Sequence, residues 1–202
     1  MPPRSGQPRH RTCHQRLTGR TISAVPASGD RRSVIALDSG AALTARTTIP
    51  AGYAPFGVQN LNGTIYVTYA LQDPDMHDDV PGEGHGFVNA FDTAGNLLRR
   101  VASKGQLNSP WGLALAPADF GNGRIHAFDP GRRTGDQRDE FQTRGPLHSA
   151  DGAPIQIDGL WGLAFGRGSA NLGPTNTLFF TAGPLGEAHG LFGKLDVAPH
   201  PD

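Results

Sequence analysis

Between residues 54 and 101, short runs of apolar and β-branched residues alternate with polar ones, and turn-forming residues separate the runs. Period-two alternation of this kind predicts strands. Ala54–Val58 is predicted as a first strand. Gly63–Tyr69 is a second, entered through the hairpin-type dipeptide Asn62-Gly63. Gly86–Asp92 alternates as a third, Ala94-Gly95-Asn96 turns the chain, and Leu97–Val101 is a fourth. Together they predict one complete antiparallel meander.

Two further units begin in the same way. The second opens with Trp111–Leu115 and continues with Gly123–Asp129, which matches Gly86–Asp92 position by position (GRIHAFD against GFVNAFD). Only Ala116–Asn122 lies between those runs, so the second strand of this unit is predicted to be missing. Residues 131–149 are polar and irregular, and Ala153–Ile157 is expected to supply a fourth strand. The third unit has strands predicted at Trp161–Phe165, Asn176–Thr181 and Gly190–Leu195, with no fourth.

A short phrase marks each start. It reads Pro55-Phe56-Gly57-Val58, Pro110-Trp111-Gly112-Leu113-Ala114 and Leu160-Trp161-Gly162-Leu163-Ala164. The aromatics fall 55 and 50 residues apart, about the length of a four-stranded propeller blade. The expected fold is therefore all-β, a partial β-propeller of about three antiparallel blades, one complete, in an incomplete ring. Phe56, Trp111 and Trp161 are expected to pack between neighbouring blades. Gly57, Gly112 and Gly162 would permit close approach there.

Composition divides the chain. Residues 1–46 hold eight Arg and two acids, a net of +6, whereas residues 47–202 carry −6. Residues 1–33 are rich in Pro, Arg, Ser, Gly and Thr and poor in apolar groups, too poor to offset the entropy of ordering. The expected domains are thus a disordered Arg/Pro-rich tail, 1–46, and a partial propeller, 47–202. No aromatic or amphipathic pattern accompanies the arginines, so nucleic acid is not an expected partner. Cys13 is the only cysteine, which excludes an intrachain disulfide and a cysteine metal cluster. No apolar run approaches the ~20 residues of a membrane helix, and the N-terminus has no secretory apolar region.

Six strings carry a resemblance across residues 49–196: Pro50–Gly57, Tyr66–Ala70, His77–Val80, Asn108–Pro117, Ile157–Leu163 and Glu187–Gly193. They look like the C-terminal part of an uncharacterised bacterial β-propeller family of six-bladed, NHL-like architecture. The resemblance implies a propeller truncated at its start, with an internal deletion near Ala118–Asn122. It also implies an exported relative, although this chain shows no signal, and it supplies no activity. The localisation is left open. Open blade edges would invite self-association.

Two loops gather ligand-type side chains: Leu71–His85, with His77, Asp78 and Asp79, and Gly183–His189, with Glu187 and His189. Both would join a second strand to a third and so emerge from one propeller face. The bland reading is solvated loops whose acids cap turns. The sharp reading is a ligand or cation site. Asp78 and Glu187 would then be metal ligands suited to Ca²⁺, although no motif demands a cofactor. No catalytic residue is assigned, because no nucleophile elbow, phosphate loop or paired-cysteine motif is present. Two functions follow. One is a non-catalytic scaffold that binds a ligand or partner through one face. The other is a Ca²⁺-dependent, lactonase-like propeller hydrolase using His77, Asp78, Glu187 and His189.

Overall fold

A computed structural model describes residues 49–117, 120 and 147–198, together with the backbone of four strands before them. Those four, β1 (Cys13–Leu17), β2 (Arg20–Pro26), β3 (Arg32–Leu37) and β4 (Ala42–Arg46), pair antiparallel in sequence order. They run through the stretch expected to be a tail; its side chains lie outside the described residues, and the boundary expected at residue 46 remains an expectation. The chain divides into two compact units, 1–111 and 112–202. Among the described residues the molecule is mostly β, with antiparallel sheets of four and three strands, almost no helix and no closed sheet.

A second four-stranded sheet of the first unit runs β5 (Tyr53–Leu61), β6 (Thr64–Leu71), β7 (Gly86–Phe91) and β8 (Leu97–Ser103) in order. It is the predicted meander. Leu61 pairs with Thr64 across Asn62-Gly63, and both turn residues take positive φ, 51° and 86°. That backbone follows the right-handed strand twist, which is why Asn-Gly suits so short a hairpin. The Asn60 side-chain carbonyl accepts the Gly63 N–H at 2.9 Å and closes the turn.

Both faces of this sheet are covered, since every residue of β7 and six of eight in β6 are buried. One face gathers Ile65, Val67, Tyr69, Phe87 and Phe91 with Ile49. Tyr53 meets Phe87 edge to face at 4.7 Å. Each such side chain contributes about 1.5–3 kcal/mol through burial. Asn89 is fully buried on that face and accepts a hydrogen bond from Arg100 Nε, whose guanidinium lies 4.8 Å from the Phe87 ring centre.

Asp92 follows β7 and organises the next turn. Its Oδ1 accepts the N–H groups of Ala94 at 2.9 Å and Asn96 at 2.8 Å, and Oδ2 accepts Asn96 Nδ2 at 2.9 Å. The Asn96 side chain, then the surrounding backbone amides, hold its carboxyl below the ordinary carboxylate range. A carboxyl depressed in the folded state stabilises above its unfolded pKa of about 3.9, and that contribution fades as pH falls through the lowered folded value. Asp92→Asn is therefore expected to melt below the wild type at pH 7. The gap should close in melts recorded at successively lower pH, below about 3.9.

In the second unit, β9 (Leu160–Phe165), β10 (Thr177–Ala182) and β11 (Leu191–Asp196) form a sheet of order β11-β10-β9. All three lie where the pattern predicted them. Ala114, Phe120 and Leu178 form the core, joined by Leu163, Phe165, Leu195 and Val197. Two other expected strands are corrected. Residues 111–117 run without a ladder although Leu113 and Ala114 are buried, and 153–157 contribute only the isolated bridge His148–Pro154. A strand needs a bonded neighbour, and the run expected beside Trp111–Leu115, residues 123–129, lies outside the described residues.

Candidate functional site

The repeated phrase coincides with an irregularity in the ladder. In β5, Pro55 pairs with Tyr69 and Gly57 with Thr68, so Phe56 is an extra residue. In β9, the register shifts between the partners of Phe180 and Ala182, opposite Trp161-Gly162. Each phrase that lies in a strand thus carries a β-bulge at its aromatic–glycine step, a device that bends the strand and re-aims a side chain. Phe56 is buried and meets Trp111 edge to face at 4.7 Å. Trp111 itself is 37% exposed, more open than a ring packed between blades was expected to be. Trp161 is half-buried and its ring lies over Gly183.

The first two phrase glycines face the next phrase. Gly57 lies against the Trp111 carbonyl, and Gly112 against the Trp161 carbonyl, closely enough that neither position has room for a Cβ. A second-strand threonine stands beside the first and third glycines. Thr68 Oγ1 donates to the carbonyl of Gly57 or of Trp111, each at 3.4 Å, and Thr181 Oγ1 accepts the Gly162 N–H at 3.1 Å.

The acidic loop 72–85 leaves β6 and returns to β7. Gln72 bridges Asp79, and Val80 N–H donates to the Leu71 carbonyl at 2.8 Å. Inside that clasp the Asp73 carboxylate accepts the His77 N–H at 2.8 Å, and the Asp78 carboxylate accepts the Asp79 N–H at 2.9 Å. One oxygen of each acid is therefore committed to holding backbone, as turn-capping carboxylates are. Met76, at the tip, has φ 56° and is 54% exposed. Farther along, half-buried His85 uses Nδ1 to bond the Val80 carbonyl at 2.8 Å.

His77, Asp78 and Asp79 do come together. They line one side of a hollow whose other walls are Ala54, Pro55 and Phe56 of β5 with Ala70 and Leu71 of β6. It offers about 10 Å³, the room of roughly one water. Glu187 and His189 lie in the second unit, in the loop from β10 to β11, and both are exposed. Glu187 ends a turn in which Leu185, Gly186 and Glu187 all take positive φ, and its N–H donates to the Gly183 carbonyl at 3.1 Å. Among the described residues, no group of three or more His, Cys, Asp or Glu side chains is placed to hold a metal ion. No helix among them is long and apolar enough to cross a membrane.

Three further residues, which match no sequence motif, position these loops. Tyr53 Oη donates to the Gly84 carbonyl at 3.3 Å, Asn108 Oδ1 accepts the Gly82 N–H at 2.7 Å, and Asp158 Oδ2 accepts the Leu185 N–H at 2.9 Å. Each stands three positions before a phrase aromatic. The residue types differ, which hid the pattern; the fixed offset from Phe56, Trp111 and Trp161 would have revealed it.

Among the described residues, the fold thus defines a mostly β protein of antiparallel sheets. Comparison with known proteins finds relatives in a virus. Two uncharacterised proteins of Acanthamoeba polyphaga mimivirus are each 33% identical to the chain, over 160 and 129 residues. A third from the same virus is 31% identical over 129 residues. The alignments cover 73%, 57% and 57% of this chain but only 36%, 32% and 22% of those proteins. No protein-family model matches the chain, and no solved structure does. The resemblance to a bacterial NHL-like family is corrected accordingly: the relatives found are viral, and no propeller of known structure stands beside them.

Proposed function

We propose that the chain is a partial β-propeller of about three blades, acting as a non-catalytic scaffold that binds a partner through its second-to-third-strand loops. The observation that carries this reading is the step from phrase to phrase, Gly57 on the Trp111 carbonyl and Gly112 on the Trp161 carbonyl. One contact recurring at one point of successive repeats is what blades stacked about an axis require.

Binding is favoured over catalysis by the loops. Asp73 and Asp78 hold backbone amides, and the hollow beside His77 is far smaller than the ~300–1,000 Å³ of a small-molecule site. Exposed Met76, flanked in sequence by Asp73, Asp75, Asp78 and Asp79, supplies an apolar centre with an acidic rim. A basic peptide with an aliphatic anchor suits that chemistry.

Fluorescence anisotropy with a panel of labelled basic peptides tests the reading. At least one peptide should bind, and Met76→Glu should weaken it by ~10-fold or more, the size expected for loss of a central anchor. No binding across the panel would remove the scaffold reading. Ca²⁺-dependent turnover of an ester or lactone panel would replace it with the hydrolase.

A further inference from the structure

We propose that β11 is a dimerisation edge, pairing antiparallel with β11 of a second copy of this chain. The strand is bonded to β10 on one side, and among the described residues no strand covers its other side. Its counterpart in the first unit, β7, is covered by β8. An uncovered edge presents a row of N–H and C=O groups that templates another strand. Here the edge also bears exposed apolar groups, Phe192 at 71% and Leu191 at 45%.

The charges on β11 select both the occupant and the register. Lys194 Nζ lies 2.7 Å from Asp196 Oδ2, and both side chains are at least half exposed on one face of the strand. Backbone groups point alternately inward and outward along a strand. A two-fold centre must therefore fall on a residue, since a centre between residues would set outward groups against inward ones. With the centre on Leu195, Lys194 lies opposite Asp196 of the second copy and Asp196 opposite its Lys194. Phe192 then faces Ala198 of the second copy. Moving the centre one residue either way sets Lys194 against Lys194 or Asp196 against Asp196, and like charges directly opposite destabilise. The pairing is isologous, so it closes at two copies and extends one sheet across six strands. It stands on β11 alone and is independent of what the 72–85 loop binds.

Sedimentation equilibrium over a concentration series tests the proposal. The wild type is expected to pass from monomer to dimer, with the dimer weakening as salt is raised. Lys194→Glu replaces two attractions by two repulsions and should weaken the dimer by about tenfold or more, whereas Lys194→Glu with Asp196→Lys should restore it. Circular dichroism melts confirm that each variant is folded, and the salt series on the wild type stands even where one is not. A wild type that stays monomeric overturns the proposal, and so does a folded Lys194→Glu variant with an unchanged dimer. A monomer whose β11 amides resist hydrogen exchange also overturns it, assigning the edge to a strand of the same chain.

Discussion

Gly57→Ala and Gly112→Ala are expected to be among the most damaging single substitutions in the chain, each costing ~3 kcal/mol or more by forcing backbone apart. A methyl group at Gly112 would sit 2.5 Å from the Trp161 carbonyl oxygen and 3.0 Å from the Leu163 nitrogen. At Gly57 it would meet the Trp111 carbonyl, with Thr68 Oγ1 at 2.9 Å. The obstacle in both places is main chain, which cannot rotate away as a flexible side chain would. Relief requires one phrase to move off the next, with loss of the packing that surrounds it. Gly190→Ala is the control. Nothing lies within 4 Å of a Cβ there, so its urea midpoint should shift by no more than about 0.5 kcal/mol in equivalent stability. Midpoints for the two phrase variants that stay within that control's range would show that the phrases do not bear on each other.

Phe91→Ala is expected to cost ~3–5 kcal/mol. Phe91 is completely buried and pairs across the sheet with Ile65 on one side and Leu97 on the other. It shares its core with Ile49, Val67 and Phe87, so truncation removes a ring's worth of dispersion contacts as well as its transfer energy. Two sheet partners and a bonded backbone limit collapse into the space. Phe91→Leu preserves most of the volume and should cost about 1 kcal/mol. Urea unfolding followed by tryptophan fluorescence separates the two, and equal losses would mean that the site tolerates a cavity.

The meander β5–β8 was legible because its information is local. Asn62-Gly63 declares a hairpin, Asp92–Asn96 a turn, and the runs between them alternate with the period of a half-covered strand. Each strand there also pairs with its neighbour in sequence, so the pattern needs no distant partner to become a ladder. Trp111–Leu115 has as good a pattern and forms no ladder among the described residues, since alternation states a preference and a ladder depends on a partner that the local pattern does not specify.

Site chemistry was less legible. Asp73 and Asp78 read as ligands by type, and only their hydrogen bonds reveal that an oxygen of each holds the loop. Their neighbours, exposed His77 and half-buried Asp79, read the same way and line a hollow too small for a substrate. Tyr53, Asn108 and Asp158 are three unlike residues performing one task, which no residue-type motif can express.

By itself, the sequence determined the all-β class, the positions of β5 to β11 and the thrice-repeated aromatic–glycine phrase. Composition and turn chemistry act within a few residues, and all of these depend on nothing longer. Tertiary structure alone decided that the first and third copies of the phrase bulge, that the first two phrase glycines meet the carbonyls of the next phrase, and that among the described residues β11 is an edge strand of its sheet. Those depend on register and on contacts between residues some fifty positions apart, where a choice of partner, and not a local preference, sets the energy.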